Sequence, residues 1–212
     1  MNKKILAALI LNILVVIATA AITISYYFYS NNPLVETGLD SYKFFTTDSN
    51  ILAAFSSLVL IPFEIQILRG KRSKLPHVAV VFKYIGMVSV MLTFLTVMTL
   101  LMPQYGAAFI LLGTATHMHL LGPLTAFVTF VFLETDSKIK LTETLFALIP
   151  SFLYGAVYLT EVVIIGEQNG GWTDFYTFNR GGYWYITMLV IFAVTYLVAF
   201  LTRLAHNKLT KD

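Results

Sequence analysis

Six long runs of apolar residues, separated by short polar stretches, make up most of this sequence. Each run is about as long as the roughly 20 residues that a transmembrane helix needs. None of them alternates with the period of two that the strands of a transmembrane barrel show. We therefore predict an all-α, polytopic membrane protein whose single domain is a six-transmembrane-helix bundle. The predicted spans are residues 4–29, 44–68, 78–102, 106–133, 142–165 and 183–205.

The first run follows a short basic start, as the apolar core of a signal peptide also does. It continues from Ile5 to Tyr29, whereas the core of a signal peptide has about 7–15 residues. We therefore expect a first helix that is retained in the mature protein. Cleavage near the small residues Ala18–Ala20 is the alternative.

The composition agrees with a membrane protein and removes several kinds of chemistry. Of the 212 residues, 58% are hydrophobic and 12% are charged, whereas a soluble domain has about 25% charged residues. The absence of cysteine excludes disulfides, thiolate metal ligands and cysteine nucleophiles. The sequence also lacks a Gly-rich phosphate loop and a Gly-x-Ser-x-Gly elbow, so we expect no cofactor.

The positive charges are sorted between the two ends of the predicted spans. Eleven of the fourteen Lys and Arg residues lie near the termini and in the loops after the second and fourth spans. The loops on the other side carry only Lys43 and Arg180. Because cytoplasmic loops are enriched in basic residues, both termini are predicted to be cytoplasmic. The net charge of +3 comes from basic residues that are sorted by membrane side and not gathered for nucleic acid. We therefore expect the bilayer as a partner and no nucleic acid.

The loop before the last span, GEQNGGWTDFYTFNRGG, and the start of that span are rich in aromatic residues. One interpretation is an aromatic belt at the membrane interface. The loop is also longer than a tight connection requires, and it contains Asp174, Asn179 and Arg180. A folded lid over a cavity is the second interpretation, and the two can hold together.

Polar side chains inside the second span fall on one face. At about 100° per residue, Thr46, Asn50, Ser57 and Glu64 point in nearly the same direction, whereas Asp48 points away and suits a cap or a rim. Ionisable residues within spans usually face the bundle interior or a wet cavity. Together with the groups on other spans, this face predicts a polar-lined cavity that opens away from the basic loops. Hydrogen bonds between helices are the alternative for each residue alone.

Other spans carry further candidates. Tyr154, Tyr158 and Glu161 share a face of the fifth span, and Glu161 joins Ser57 and Glu64 as a predicted lining of the polar cavity. In the fourth span, His117 and His119 diverge by about 200°, so we expect no metal site there. Lys83 lies inside the third span near its basic end and is expected to snorkel towards that end.

Three segments carry a resemblance to a known family: YKFFTTDSNIL (42–52), HMHLLGPL (117–124) and GGWTDFYTFN (170–179). They resemble the androgen-induced gene product and androgen-dependent TFPI-regulating protein family, and within it the bacterial six-helix membrane proteins. The third segment differs from the family's Tyr-Pro-Phe signature and reads FYTFN. The resemblance implies a multi-pass protein of a bacterial cytoplasmic membrane.

The resemblance also implies an activity, because animal members of the family are membrane threonine hydrolases of fatty-acid esters of hydroxy fatty acids. By the match of KFFT to Lys-Phe-x-Thr, the implied nucleophile is Thr46. By its spacing to Pro123, the implied base is His119, with His117 as the alternative. The expected substrate is a lipid or fatty-acyl ester.

The chemistry of such a pair is consistent with general rules. A threonine hydroxyl is a weak nucleophile, and a neutral imidazole can take its proton and return it to the leaving alkoxide. The developing oxyanion needs donors, for which Asn50, Tyr154 and Tyr158 are the candidates.

Two other functions remain open from the sequence. One is a non-catalytic lipid-binding protein that uses the same cavity. The other is a transporter of a small solute or proton, suggested by Glu64, Lys83 and Glu161 inside the spans. The lack of internal repeats disfavours the transporter.

Overall fold

The structure is a computed structural model that describes residues 2–29, 37–107 and 111–210. It is 81% helical and shows no strand among the described residues, which confirms the prediction of an all-α helical bundle. The apolar helices are α1 (Lys3–Phe28), α2 (Phe45–Leu68), α3 (His77–Tyr105), α4 (His117–Leu133), α5 (Thr142–Ile165) and α6 (Trp184–Leu209).

Five of these helices are long and apolar enough to cross a membrane, and α4 is the exception. It begins at His117 instead of residue 106, so at about 1.5 Å per residue it is shorter than the roughly 30 Å apolar core of a bilayer. Glycines explain the difference. Gly106 and Gly113 have φ values of 87° and 58°, left-handed conformations that do not continue a right-handed helix. Part of the predicted fourth span, residues 108–110, lies outside the described residues.

The basic loops meet at one end of the bundle, which we call the basic end. The backbone N–H of Leu75, after α2, donates to Asp136 Oδ2 between α4 and α5 at 3.1 Å. The amide of Asn207, near the end of α6, pairs with the backbone of Ile139 through two hydrogen bonds of 2.8 Å. The predicted gathering of these loops at one end is therefore confirmed. Their cytoplasmic location stays a prediction.

The apolar core lies in the half of the bundle nearer to the basic end. It includes Leu60, Val80, Tyr84, Met87 and Phe130, all fully buried. The hydroxyl of Tyr84 donates to the backbone oxygen of Ala199 at 2.6 Å and so joins α3 to α6. Aromatic stacking of Phe130 on His206, with ring centroids 4.2 Å apart, joins α4 to α6.

Helices α2 and α3 approach closely at Gly86. A Cβ atom at this position would lie 3.0 Å from the Leu52 carbonyl oxygen and 3.1 Å from the Ala53 Cα. Both neighbours are backbone atoms that cannot rotate away. A side chain at position 86 therefore forces the two helices apart.

We predict that Gly86→Ala destabilises the bundle by roughly 1–3 kcal/mol, because overpacking of this contact outweighs the gain in helix propensity. The measurement is the melting temperature in detergent, which should fall by about 2–4 °C for each kcal/mol. Gly155→Ala is the matched control, since its new Cβ meets only Met188 Cε at 3.7 Å. Equal melting temperatures for the two variants would contradict the close approach.

Candidate functional site

A cavity of about 360 Å³ lies between α2, α3, α5 and α6, in the half of the bundle away from the basic end. This volume is in the range of ligand-binding pockets, about 300–1,000 Å³. Its walls are mainly aliphatic and aromatic, with Leu92, Val97, Leu100, Ile186 and Val190 among them. None of the described residues that line it is charged or a histidine. The cavity therefore suits a long apolar group with a small uncharged polar end.

The polar end of the cavity is formed by hydroxyl groups. Thr46, in the first turn of α2, is half-buried and lines the cavity. The phenol of Tyr176, from the loop before α6, lies beside Thr46 and also lines the cavity. Burial raises the pKa of Tyr176 to about 12, so its hydroxyl remains neutral at physiological pH. The pair offers a ligand hydrogen-bond donors and acceptors without a charge.

The loop between α5 and α6 folds over this cavity. Its residues Tyr176, Thr177 and Phe178 contribute directly to the lining. The Asp174 carboxylate holds the turn, because its oxygens accept from the backbone N–H of Phe178 at 2.7 Å and of Asn179 at 2.8 Å. The loop is thus a folded cover, the second of the two predicted interpretations. The first also finds support, since the rings of Tyr183 and Tyr185 that follow are exposed.

Tyr158 of α5 anchors the cover. Its hydroxyl donates to Asp174 Oδ1 at 3.1 Å and accepts from the backbone N–H of Tyr176 at 3.0 Å. Its ring contacts the rings of Phe175 and Phe178, with centroids 5.0 and 5.5 Å away. The cover is therefore held by hydrogen bonds and aromatic contacts to one buried side chain.

The predicted oxyanion donors are already engaged. Tyr154 and Tyr158 both line the cavity, but the Tyr154 hydroxyl donates to the Lys43 carbonyl at 2.6 Å and the Tyr158 hydroxyl serves the cover. The Asn50 side-chain nitrogen donates one hydrogen to the Thr46 carbonyl at 2.8 Å and the other to the Met118 carbonyl at 2.9 Å. A role in stabilising an oxyanion would require one of these bonds to break.

The two predicted bases lie on α4, outside the lining of the cavity. His119 is half-buried and is not among the lining residues. The Nε2 atom of His117 lies 3.3 Å from the hydroxyl of Thr19 and so faces α1. The Asn50 bridge nevertheless brings this part of α4 close to Thr46: the Thr46 and Met118 carbonyl oxygens are no more than about 6 Å apart, because one nitrogen binds both.

The three residues predicted to line a polar cavity lie elsewhere. Glu161 is partly exposed on α5 and does not contribute to the lining. Ser57 and Glu64 are fully buried on α2, as their shared face predicted, but they belong to a separate cluster. From Thr46 to Glu64 the helix rises about 27 Å. The second span therefore serves two distinct polar regions, one towards each end of the bundle.

The second region is a hydrogen-bonded cluster that we call the polar hub, formed by Asn12, Ser57, Glu64, Lys83 and Glu134. Every member is at most 1% exposed. The Asn12 amide donates to Glu64 Oε1 at 2.9 Å and to Glu134 Oε1 at 2.7 Å. The Lys83 ammonium donates to Asn12 Oδ1 at 2.7 Å and to the hydroxyl of Ser57. The prediction that Lys83 snorkels was wrong, because partners from α1 and α2 hold it inside the bundle.

The sequence prediction missed Asn12 and Glu134. Asn12 is a single amide in the middle of the first apolar run, and Glu134 lies just beyond the predicted end of the fourth span at residue 133. Their link spans 122 residues of sequence, which no local pattern reveals. The available signal was Asn12 itself, since polar side chains within spans usually have a partner there.

A third group joins a hydroxyl, an imidazole and a carboxylate at the basic end. His77 Nδ1 lies 2.6 Å from the hydroxyl of Ser137, and His77 Nε2 lies 2.7 Å from Glu143 Oε1. A second oxygen of Glu143 accepts from the backbone N–H of Lys140 at 2.7 Å. The group ties the start of α3 to the loop between α4 and α5 and to the start of α5. It also has the connectivity of a nucleophile, a base and an orienting acid.

No family model matches the chain, and searches of curated proteins and of solved structures also found no match.

We predict that Tyr158→Phe loosens the cover over the cavity. The change leaves the Tyr176 backbone N–H without its partner, a loss of about 1–3 kcal/mol. Amide hydrogen exchange of residues 172–179 should accelerate by about tenfold or more, since 1.4 kcal/mol corresponds to a factor of ten. Tyr185→Phe, on an exposed ring, is the control. Unchanged exchange in the Tyr158 variant would show that the hydroxyl does not hold the loop.

Proposed function

We propose that this membrane protein binds one acyl lipid in the cavity, with the tail against the aliphatic walls and an uncharged polar group at Thr46. The proposal is supported by three properties that this site combines: its size, its apolar walls and its uncharged polar end. An apolar space of ligand size ends at a hydroxyl pair, Thr46 and Tyr176, beneath a folded loop.

The setting in a membrane determines which contacts select the ligand. Lipid tails are as apolar as the cavity walls, so transfer of a tail from the bilayer gains little from the hydrophobic effect. Close packing and hydrogen bonds at the polar end must then supply the selectivity. We therefore expect the polar end to matter more for affinity than the length of the tail.

The same site favours a neutral polar group. Burial of an ionised carboxylate without a cation is costly, and none of the described lining residues is charged. An ester carbonyl or a hydroxyl can accept or donate one hydrogen bond at Thr46 and another at Tyr176. A neutral long-chain ester is accordingly expected to bind more tightly than the corresponding ionised fatty acid.

We predict that Gly155→Phe, which fills the cavity from α5, weakens binding of a fluorescent long-chain ester by tenfold or more, a loss of about 1.4 kcal/mol. The measurement is a titration of the purified protein in detergent. Leu153→Phe is the matched control, because Leu153 is on the same helix but exposed and outside the lining. If both variants bind the ester as the unmodified protein does, the ligand does not occupy this cavity.

Hydrolysis of an acyl ester is the second candidate function, and the Asn50 bridge between Thr46 and the α4 segment at Met118 favours it. In this reaction the Thr46 oxygen attacks the ester carbonyl carbon while His119 takes the hydroxyl proton. The C–O bond to the alcohol breaks, and the alcohol leaves with that proton. Water then hydrolyses the acyl-threonine and restores both side chains.

Three variants show which residues perform any ester hydrolysis. If Thr46 and His119 perform it, Thr46→Ala and His119→Ala should each lower turnover of a fluorogenic long-chain ester by at least about 10²-fold, the usual share of a general base. Ser137→Ala, at the basic end, should leave it unchanged. Loss of turnover in the Ser137 variant alone would assign the reaction to Ser137, His77 and Glu143. Equal rates in all three would exclude both hydroxyls as nucleophiles.

A further inference from the structure

The polar hub holds more negative charge than its hydrogen bonds explain. Both carboxylates bind the same neutral amide, because Asn12 donates one hydrogen to Glu64 and the other to Glu134. Their bonded oxygens are therefore no more than about 6 Å apart. Two buried negative charges at this separation repel each other strongly, since little water is present to screen them.

The Lys83 ammonium does not pair directly with either glutamate. Its hydrogen bonds go to the Asn12 side-chain oxygen and to the Ser57 hydroxyl, both neutral groups. Among the described residues, it forms no ion pair with Glu64 or Glu134. The amide thus stands between the cation and both anions, and Lys83 provides one positive charge for two negative ones.

Each glutamate also has one oxygen that lacks a hydrogen-bond partner. Glu64 Oε2 and Glu134 Oε2 are both buried and find no donor among the described residues. A buried carboxylate oxygen without a donor is poorly stabilised as an anion. Protonation at one of these oxygens removes one negative charge and leaves the observed hydrogen bonds to Oε1 in place.

Two further titratable side chains, His206 and Asp136, lie near Glu134. Both ring nitrogens of His206, on α6, lie 2.9 Å from backbone carbonyl oxygens, those of Phe130 and Ser137. Asp136, whose carboxylate accepts from Leu75, is the negative neighbour on the loop after α4.

The hub itself contains one ammonium, that of Lys83, and two carboxylates, so with both glutamates ionised it carries one uncompensated negative charge. We infer that Glu64 and Glu134 bind one exchangeable proton between them in the interior of the bundle. Glu134 lies one residue beyond α4, next to the half-buried Asp136 at the basic end. The proton therefore exchanges with water from that end.

A proton fits the hub better than a metal ion does. The described residues contain no group of three or more His, Cys, Asp or Glu side chains placed to hold a metal. The ammonium of Lys83 lies within the same cluster and repels a second cation. A proton needs only one carboxylate oxygen and adds no volume to a closely packed region. This site is distinct from the lipid cavity, so the inference does not depend on the proposed function.

Infrared spectroscopy of the purified protein tests this inference directly, because a protonated carboxyl group has its own C=O stretch. At neutral pH we expect the band of one buried carboxylic acid, which shifts in deuterated water and disappears as the pH is raised. Absence of such a band in the unmodified protein would overturn the inference without any variant.

Variants then assign the band. Glu64→Gln and Glu134→Gln should each abolish it, because the remaining glutamate is balanced and ionises. Lys83→Met should double its intensity, because the loss of the cation protonates the second glutamate. Glu161→Gln, a partly exposed glutamate of α5 outside the hub, should leave it unchanged. A band that persists in both hub glutamine variants, or is unaltered by Lys83→Met, contradicts a proton shared by this pair.

Discussion

The arrangement of this bundle depends on one side-chain amide. Asn12 of α1 uses both hydrogens on carboxylates from α2 and the end of α4, and its oxygen accepts from the ammonium of Lys83 on α3. Four segments of the chain are therefore fixed around a single buried group. A hydrogen bond in an apolar interior is individually modest, but an unmatched polar group there is costly. Removal of the amide would leave an ammonium and two carboxylates without their common partner.

Helix α2 contributes residues to both the polar hub and the cavity, and the two regions remain separate. The part of α2 nearer to the basic end contributes Ser57 and Glu64 to the polar hub. Its first turn, at the other end, contributes Thr46 to the cavity. The separation keeps the buried charged groups in the half of the bundle nearer to the basic end. The uncharged cavity in the other half of the bundle suits the neutral lipid that we propose, because no charge has to be desolvated there.

The sequence predicted most of the helices from the length of their apolar runs, and it predicted the buried face of α2 from the helical repeat; both are local properties of the chain. The fifth span was predicted at 142–165 and α5 is Thr142–Ile165. The start of α4 was missed, since the positive φ values of Gly106 and Gly113 are backbone features that an apolar run does not reveal. The polar hub and the Ser137–His77–Glu143 group were also missed. Hydrogen bonds in these groups join residues that are 52 to 122 positions apart in the sequence, so only the packing of helices shows that they meet.

We propose that the cavity beneath the loop holds an acyl lipid with its polar end at Thr46. An experimental structure of the protein in lipid nanodiscs, at a resolution that shows ordered lipid, tests it most directly. We predict elongated density between α3, α5 and α6 that ends within hydrogen-bond distance of Thr46 and Tyr176. Lipid density confined to the outer surface of the bundle, with the cavity closed by side chains or filled by water, would contradict it.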